Sequence, residues 1–232
     1  MTTIRGARER ARAEVTAAIK DAARRRVATE GAAGLSLRAV ARELGMVSSA
    51  LYRYFPSRDE LLTALIVDAY DAIGAAAEDA LARTAPETPP VVRWTAVCTA
   101  VRAWALAHPH EYALIYGSPV PGYAAPGDTI QPAARVGLAL ITMVREARAT
   151  APLTPPPLDP APTAEADRLA AALAPDLPPA TVIAMVAAWA ELFGLLSFEL
   201  FGQFNRIVED RDAFFGRAVA RLAYEVGLPP LP

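Results

Sequence analysis

Residues 35–61, LSLRAVARELGMVSSALYRYFPSRDEL, constrain the fold more than any other stretch of this chain. Leu37, Val40, Ala41 and Leu44 recur at helical spacing and form one apolar face. Ser36 stands where an N-cap oxygen accepts an N–H of the opening turn, and Leu35 and Val40 occupy hydrophobic-staple positions. Gly45 suits the left-handed residue that ends such a helix. A second short helix follows, with Leu51 and Phe55 on its apolar side and Ser48, Ser49, Tyr52, Arg53 and Tyr54 around the rest. Ser57-Arg58-Asp59-Glu60 then reads as a capping box that opens a longer third helix. Two short helices about a glycine turn are a helix-turn-helix, whose second helix is shaped for a DNA major groove.

These residues resemble the TetR family of bacterial transcriptional regulators. The family opens its first short helix with Thr or Ser, turns on glycine, and continues with Leu-Tyr, an aromatic or His, Phe, and a Ser-Lys-Glu-Leu-like helix start. This chain has Ser36, Gly45, Leu51-Tyr52, Tyr54-Phe55 and Ser57-Arg58-Asp59-Glu60-Leu61 at those places. It departs from the pattern after the glycine, where Met46 and Val47 replace the usual Val-Ser; Val47 has no capping oxygen, so Ser48 is the expected cap. The resemblance covers the first quarter of the chain. Residues 189–204, WAELFGLLSFELFGQF, and 108–123, HPHEYALIYGSPVPGY, resemble the C-terminal part of one TetR subgroup.

Charge divides the chain in the same place. Residues 1–60 hold 12 Arg and Lys against 7 Asp and Glu, a net of +5; residues 61–232 hold 11 against 18, a net of −7, for −2 in all. A basic first part on an acidic remainder is the footprint of a DNA-binding head on a body with another task. The implied division is a helix-turn-helix domain over 1–56 and a ligand-binding and dimerisation domain over 57–232. Arg5, Arg8, Arg10 and Arg12 fall at the start of the first helix or in an arm able to reach phosphates. The single Cys98 rules out an internal disulfide framework and suits a reducing cytoplasm. No run of about 18 strongly apolar residues lacks a break or a charge, so no membrane span is expected.

The spacing predicts an all-α chain, with helices over 6–30, 57–82, 89–107, 109–117, 130–149, 163–174, 180–207 and 210–226. Residues 118–129 and 151–163, the latter with six prolines, read as loops. The 180–207 helix is apolar nearly all round, with Glu191 and Glu199 its only charges before Arg206. Such a helix is covered on more than one side, and the TetR resemblance implies that the last two long helices pair with a second copy. Leu196, Leu200, Phe201, Phe204, Phe214, Phe215 and Leu222 are the candidate dimer contacts.

The body also carries Tyr70, Trp94, Cys98, Trp104, Tyr112, Tyr116, Met143, Met185, Trp189 and Phe193 on inward faces. Together they suit the walls of a cavity for a small hydrophobic or aromatic effector, with plain core as the alternative for each. Cys98 senses oxidants only if exposed and acidified by Arg102; on its apolar stripe it reads as filler. His108 and His110 fall on different helix faces without a third ligand, so packing beside Pro109 is the better reading than a metal. No phosphate loop, nucleophile elbow or cofactor motif occurs in the sequence.

The resemblance then implies a homodimer on a palindromic operator of double-stranded DNA. Ser36, Arg38, Tyr52, Tyr54 and Arg58 are expected at phosphates, and Val47, Ser48, Ser49, Ala50 and Arg53 toward base edges. A helical enzyme would need a catalytic constellation that the sequence lacks. A helical small-molecule-binding adaptor would have no use for the tyrosine-rich second helix.

Overall fold

The structure is a computed structural model that describes residues 2–155 and 163–230. Among the described residues it is helical, without strands. The helices are α1 (Thr2–Glu30), α2 (Leu37–Glu43), α3 (Ser48–Leu51), α4 (Arg58–Arg83), α5 (Pro90–Ala107), α6 (Pro109–Tyr116), α7 (Ile130–Thr150), α8 (Thr163–Leu173), α9 (Pro179–Leu200) and α10 (Arg211–Glu225). Three of them, α5, α6 and α9, begin on proline, whose fixed φ and missing N–H cost nothing in a first turn. Ser57 caps α4 by accepting the Glu60 N–H at 3.1 Å, and Asp210 caps α10 by accepting that of Ala213 at 2.9 Å.

The chain packs as two compact units. Met1–Tyr70 with His110–Pro132 form one, and Asp71–Pro109 with Ala133–Pro232 the other. The core of the first gathers Ile19, Ala22, Ala23 and Val27 of α1, Val40 of α2, Leu51 of α3, and Leu61, Leu62 and Leu65 of α4. Burying each such aliphatic side chain contributes about 1.5–3 kcal/mol, and truncating one to alanine costs about 2–5 kcal/mol. The 118–129 segment belongs to this unit: Val120 and Tyr123 pack on its core, and the Tyr123 hydroxyl lies 2.9 Å from that of Thr63.

In the second unit, α5, α7, α9 and α10 supply most of the buried side chains, Trp94, Val101, Leu140, Met143, Leu192, Leu196 and Leu222 among them. Arginines tie the helices. Arg102 of α5 reaches Glu199 and Asp212, Arg93 reaches Glu146 of α7 at 2.6 Å, and Arg135 of α7 holds Asp71 and Glu78 of α4. Arg145 pairs with Asp176 at 2.7 Å after α8, while the 154 N–H bonds the Gly227 carbonyl at 2.9 Å.

One expectation is corrected here. The apolar helix ends at Leu200 rather than 207, because Gly202 (φ 86°) and Arg206 (φ 63°) take the left-handed conformation and fold 201–207 into consecutive turns. Phe201 and Phe204 therefore leave the helix. Helix α9 is also long and apolar enough to cross a membrane by length and composition, a property that buried core helices share. Its two carboxylates are both engaged inside the unit, Glu199 by Arg102 and Glu191 by Arg221. Of the 151–163 loop, 156–162 lie outside the described residues.

Candidate nucleic-acid interface and body cavity

The turn between α2 and α3 is built from backbone geometry. Gly45 sits at φ 64°; its N–H bonds the Arg42 carbonyl at 3.2 Å, and the Met46 N–H bonds that of Ala41 at 2.8 Å. This double bond closes the end of α2 in a Schellman arrangement, and half-buried Met46 packs back on the core. Ser36 and Val47 occupy the N-cap positions of α2 and α3, but neither side chain accepts a capping bond. The caps expected of Ser36 and Ser48 are thus absent, and Ser48 is the first residue of α3.

The core anchors the motif through Leu37, Val40, Ala41, Leu51 and Phe55, leaving the other side to solvent. Ser36, Arg38, Val47, Ser49, Tyr52 and Arg53 are exposed; Ser48, Ala50, Tyr54 and Arg58 are half-buried. Val47 is the most open of the large apolar groups here, at 70% exposure.

Two groups stand out among the arginines of this unit. Arg24, Arg25 and Arg26 are held by Asp21 and Asp68, by Glu43, and by Glu30. Arg58 is held too, donating to the carbonyls of Ala32 at 2.9 Å and Leu35 at 3.2 Å and pairing with Asp59 at 3.2 Å. Its guanidinium clips the turn before α2 to the start of α4, bonds that a phosphate contact would have to share. Arg12 lies in α1 rather than in an arm, stacked 5.1 Å over the Tyr54 ring. The side chain of Arg5 lies outside the described residues. Arg38, Arg42 and Arg53 form the second group: each is exposed and none has an acidic partner among the described residues. Arg42 was absent from the sequence-derived set, although its position four residues after Arg38 on α2 was the available signal.

The ten candidate pocket residues are divided between the two units. Tyr70, Tyr112 and Tyr116 cluster in the first unit, with ring centroids 5.9 Å apart for Tyr70–Tyr116 and 5.2 Å for Tyr112–Tyr116. Burial, then the neighbouring tyrosines, pushes the Tyr116 hydroxyl far above its ordinary range. Trp94, Cys98 and Met143 are fully buried in the second unit. Burial drives the Cys98 thiol up, the reverse of acidification by Arg102. Trp104 stacks on His108 at 5.1 Å, and His108 Nδ1 lies 2.9 Å from the Trp104 carbonyl, so that histidine is a packing group.

Among the described residues, Met185 and Trp189 line a cavity of about 280 Å³ between α7, α8 and α9. Its floor is Leu140, Ile141, Val182 and Met185, all buried, and its mouth is Leu138, Leu173 and Trp189, all exposed. Phe193 packs edge-on against Trp189 at 5.6 Å. Neither the 118–129 nor the described part of the 151–163 segment lines this cavity.

The dimer candidates divide as well. Leu196, Phe215 and Leu222 are buried within the chain. Phe201 and Phe214 are exposed at 45% and 40%, beside Phe198 at 52%. Phe204 joins this group edge-on, 5.7 Å from Phe198 and 5.3 Å from Phe214. Leu200 is half-buried.

Comparison with known proteins agrees with this anatomy. Residues 19–65 match the family described as bacterial regulatory proteins, tetR family, and residues 94–222 match the tetracyclin repressor-like C-terminal domain. The HTH-type transcriptional regulators Rv1816 of Mycobacterium tuberculosis and Mb1846 of Mycobacterium bovis are each 40% identical over 215 residues, 86% of this chain and 86% of theirs. The crystal structure of SCO4313, described as a regulatory protein, superposes with a TM-score of 0.76 at 35% identity over 92% of this chain and 97% of that one. The PfmR regulator of Thermus thermophilus shares the fold, with a TM-score of 0.55 at 18% identity over 92% of this chain and 98% of its own. The relatives are transcriptional regulators rather than enzymes. With a glycine-turned helix pair whose arginines face solvent and a helical body of the matching type, the chain belongs to the TetR family of DNA-binding transcriptional regulators.

Proposed function

We propose that this regulator acts in the cytoplasm as a homodimeric repressor, holding a palindromic operator until a small apolar effector enters its body. Residues 1–56 are the DNA-binding domain and 57–232 the ligand-binding and dimerisation domain. The observation that carries the reading is the set of exposed, ion-pair-free arginines Arg38, Arg42 and Arg53 around a helix-turn-helix whose other face is core. Arg38 and Arg42 supply phosphate contacts with Ser36, Tyr52 and Tyr54, and α3 presents Val47, Ser48, Ser49, Ala50 and Arg53 to base edges. The two α3 helices of a dimer must then sit about 34–36 Å apart, or a multiple, to meet successive half-sites.

Dimerisation is supported by Phe198, Phe201 and Phe214, exposed near the ends of α9 and α10, with half-buried Phe204 packed against Phe198 and Phe214, a patch that a monomer leaves in water. Effector response is supported by the apolar cavity against α7, whose Arg135 grips α4. An effector shifts the DNA-bound state only by its difference in affinity for the two states. Sequencing of genomic fragments retained by the purified protein tests the whole reading: enrichment of one inverted repeat is expected, and retention without sequence preference would sink it.

A further inference from the structure

We propose that the cavity between α7, α8 and α9 is a binding site for a small, uncharged, largely hydrocarbon molecule. The inference rests on the effector-responsive reading and names the site and the chemical class of the effector. The free space is about 280 Å³, whereas an apolar cavity of roughly 150 Å³ already holds benzene and stays dry. The lining side chains are aliphatic apart from the Met185 thioether and the Trp189 indole, and none carries a charge. Moving a carboxylate or an ammonium into such a wall without a counter-charge is strongly unfavourable, so the site selects against ions. The Trp189 indole N–H is the one side-chain hydrogen-bond donor of the lining, on a ring 38% exposed at the mouth. It suits a single acceptor oxygen at the outer end of a hydrocarbon ligand.

Gly137 is the independent observation. It stands inside α7, where glycine is less stable than alanine. Its φ is not positive, and a Cβ built on it meets nothing within 4 Å, so neither backbone geometry nor close packing calls for it. What its missing side chain leaves is room in the wall it helps to form. The buried floor beneath an exposed rim makes the site concave, of a depth that suits an inserted molecule better than a flat partner surface. Its wall is also tied to another helix: Ala134 lines the cavity, and the next residue, Arg135, holds Asp71 at 2.7 Å and Glu78 at 2.5 Å on α4.

Calorimetric titration of the full chain with 1-octanol, in the absence of DNA, tests the site. Saturable binding of one octanol per chain is expected. Octanoate at pH 8, with the same chain length and an ionised head, should bind at least about tenfold more weakly. Gly137→Leu and Ala134→Leu fill the cavity from adjacent turns of α7 and should each abolish the octanol heat while keeping a cooperative thermal melt. The octanol–octanoate comparison on the unaltered chain stands even where a filling variant fails to fold. Absent octanol binding, equal or tighter octanoate binding, or full octanol binding by a folded filling variant would each overturn the proposal. Operator affinity is measured separately: octanol that binds as described without changing it supports the site and removes the effector role.

Discussion

Arg102 and Glu199 are paired twice, the arginine Nε and Nη2 donating to the two carboxylate oxygens at 2.8 and 2.7 Å. Both residues are buried, and the pair joins α5 to α9 across 97 positions of chain. The guanidinium also stacks over Phe215 at 5.0 Å and reaches the exposed Asp212 at 2.7 Å. Its hydrogen bonds to Glu199, outweighing the opposing effect of burial, hold Arg102 firmly protonated. Glu199→Ala should therefore strand a buried charge and lower stability by about 3–5 kcal/mol. Asp212→Ala, at a side chain 88% exposed, should cost under about 1 kcal/mol. Urea denaturation at one fixed protein concentration compares the two; equal losses would show that the buried pair is not the special one.

Arginines of the head should separate by role. Arg53→Ala should lose about 1–3 kcal/mol of discrimination at one base position. Arg38→Ala and Arg42→Ala should weaken all sequences alike and flatten the salt slope by about one each. Arg58→Ala, which loses its bonds to the Ala32 and Leu35 carbonyls, should leave that slope unchanged and lower the melting temperature instead, each bond contributing about 0.5–1.5 kcal/mol. Gel shifts over a salt series with parallel melts check the division; a flattened slope for Arg58→Ala would return it to the phosphate set.

The aromatic residues near the C-terminus should likewise part company. Phe201→Glu and Phe204→Glu, at an exposed and a half-buried ring of this patch, should give folded monomers that no longer bind operator. The interface they disrupt should bury on the order of 2,000 Å² or more. Phe215→Glu and Leu222→Glu put a charge where side chains are buried and should prevent folding outright. Sedimentation velocity with circular dichroism distinguishes the outcomes. A folded dimer of Phe201→Glu that still binds operator would remove this surface from the interface.

Acid should loosen the clamp between α4 and α7. Hydrogen bonding from Arg135, ahead of a smaller opposing burial effect, holds the Glu78 carboxyl below its ordinary value of 4.5. A depressed carboxylate stabilises the fold fully above its unfolded pKa and ceases to as pH falls through the lower folded one. Glu78→Gln should thus lower the melting temperature at neutral pH, with the deficit shrinking as pH drops below about 4.5. The effect is small, under about 1 kcal/mol, because the side chain is 45% exposed. A deficit constant from pH 7 to pH 3 would show that the ion pair is not its source.

Local chemistry made the head legible in the sequence. Gly45 needs the left-handed conformation, Ser57 reaches the Glu60 N–H three residues on, and Leu37, Val40 and Ala41 repeat at helical spacing; each acts within about one turn of its own position. The proline start of α6 was visible for the same reason. The body's contents were not. Ten apolar and aromatic side chains carry one signature whether they fill a core or line a cavity, and only the crossing of α7, α8 and α9 selects Met185 and Trp189 for the wall.

Long-range partners decided the rest. In sequence Arg58 looks like Arg53; it is the return of the chain past Ala32 and Leu35 that supplies the carbonyls and takes it away from solvent. Phe201 and Phe204 continue a helical pattern, yet Gly202 and Arg206 turn the backbone left-handed and bring Phe204 against Phe198 and Phe214. The sequence by itself determined the helices, the head and the family, because caps, turns and periodicity act between neighbours. Tertiary structure alone decided which arginines are free, which aromatics are exposed and where the cavity lies, because those depend on what other parts of the chain bring alongside.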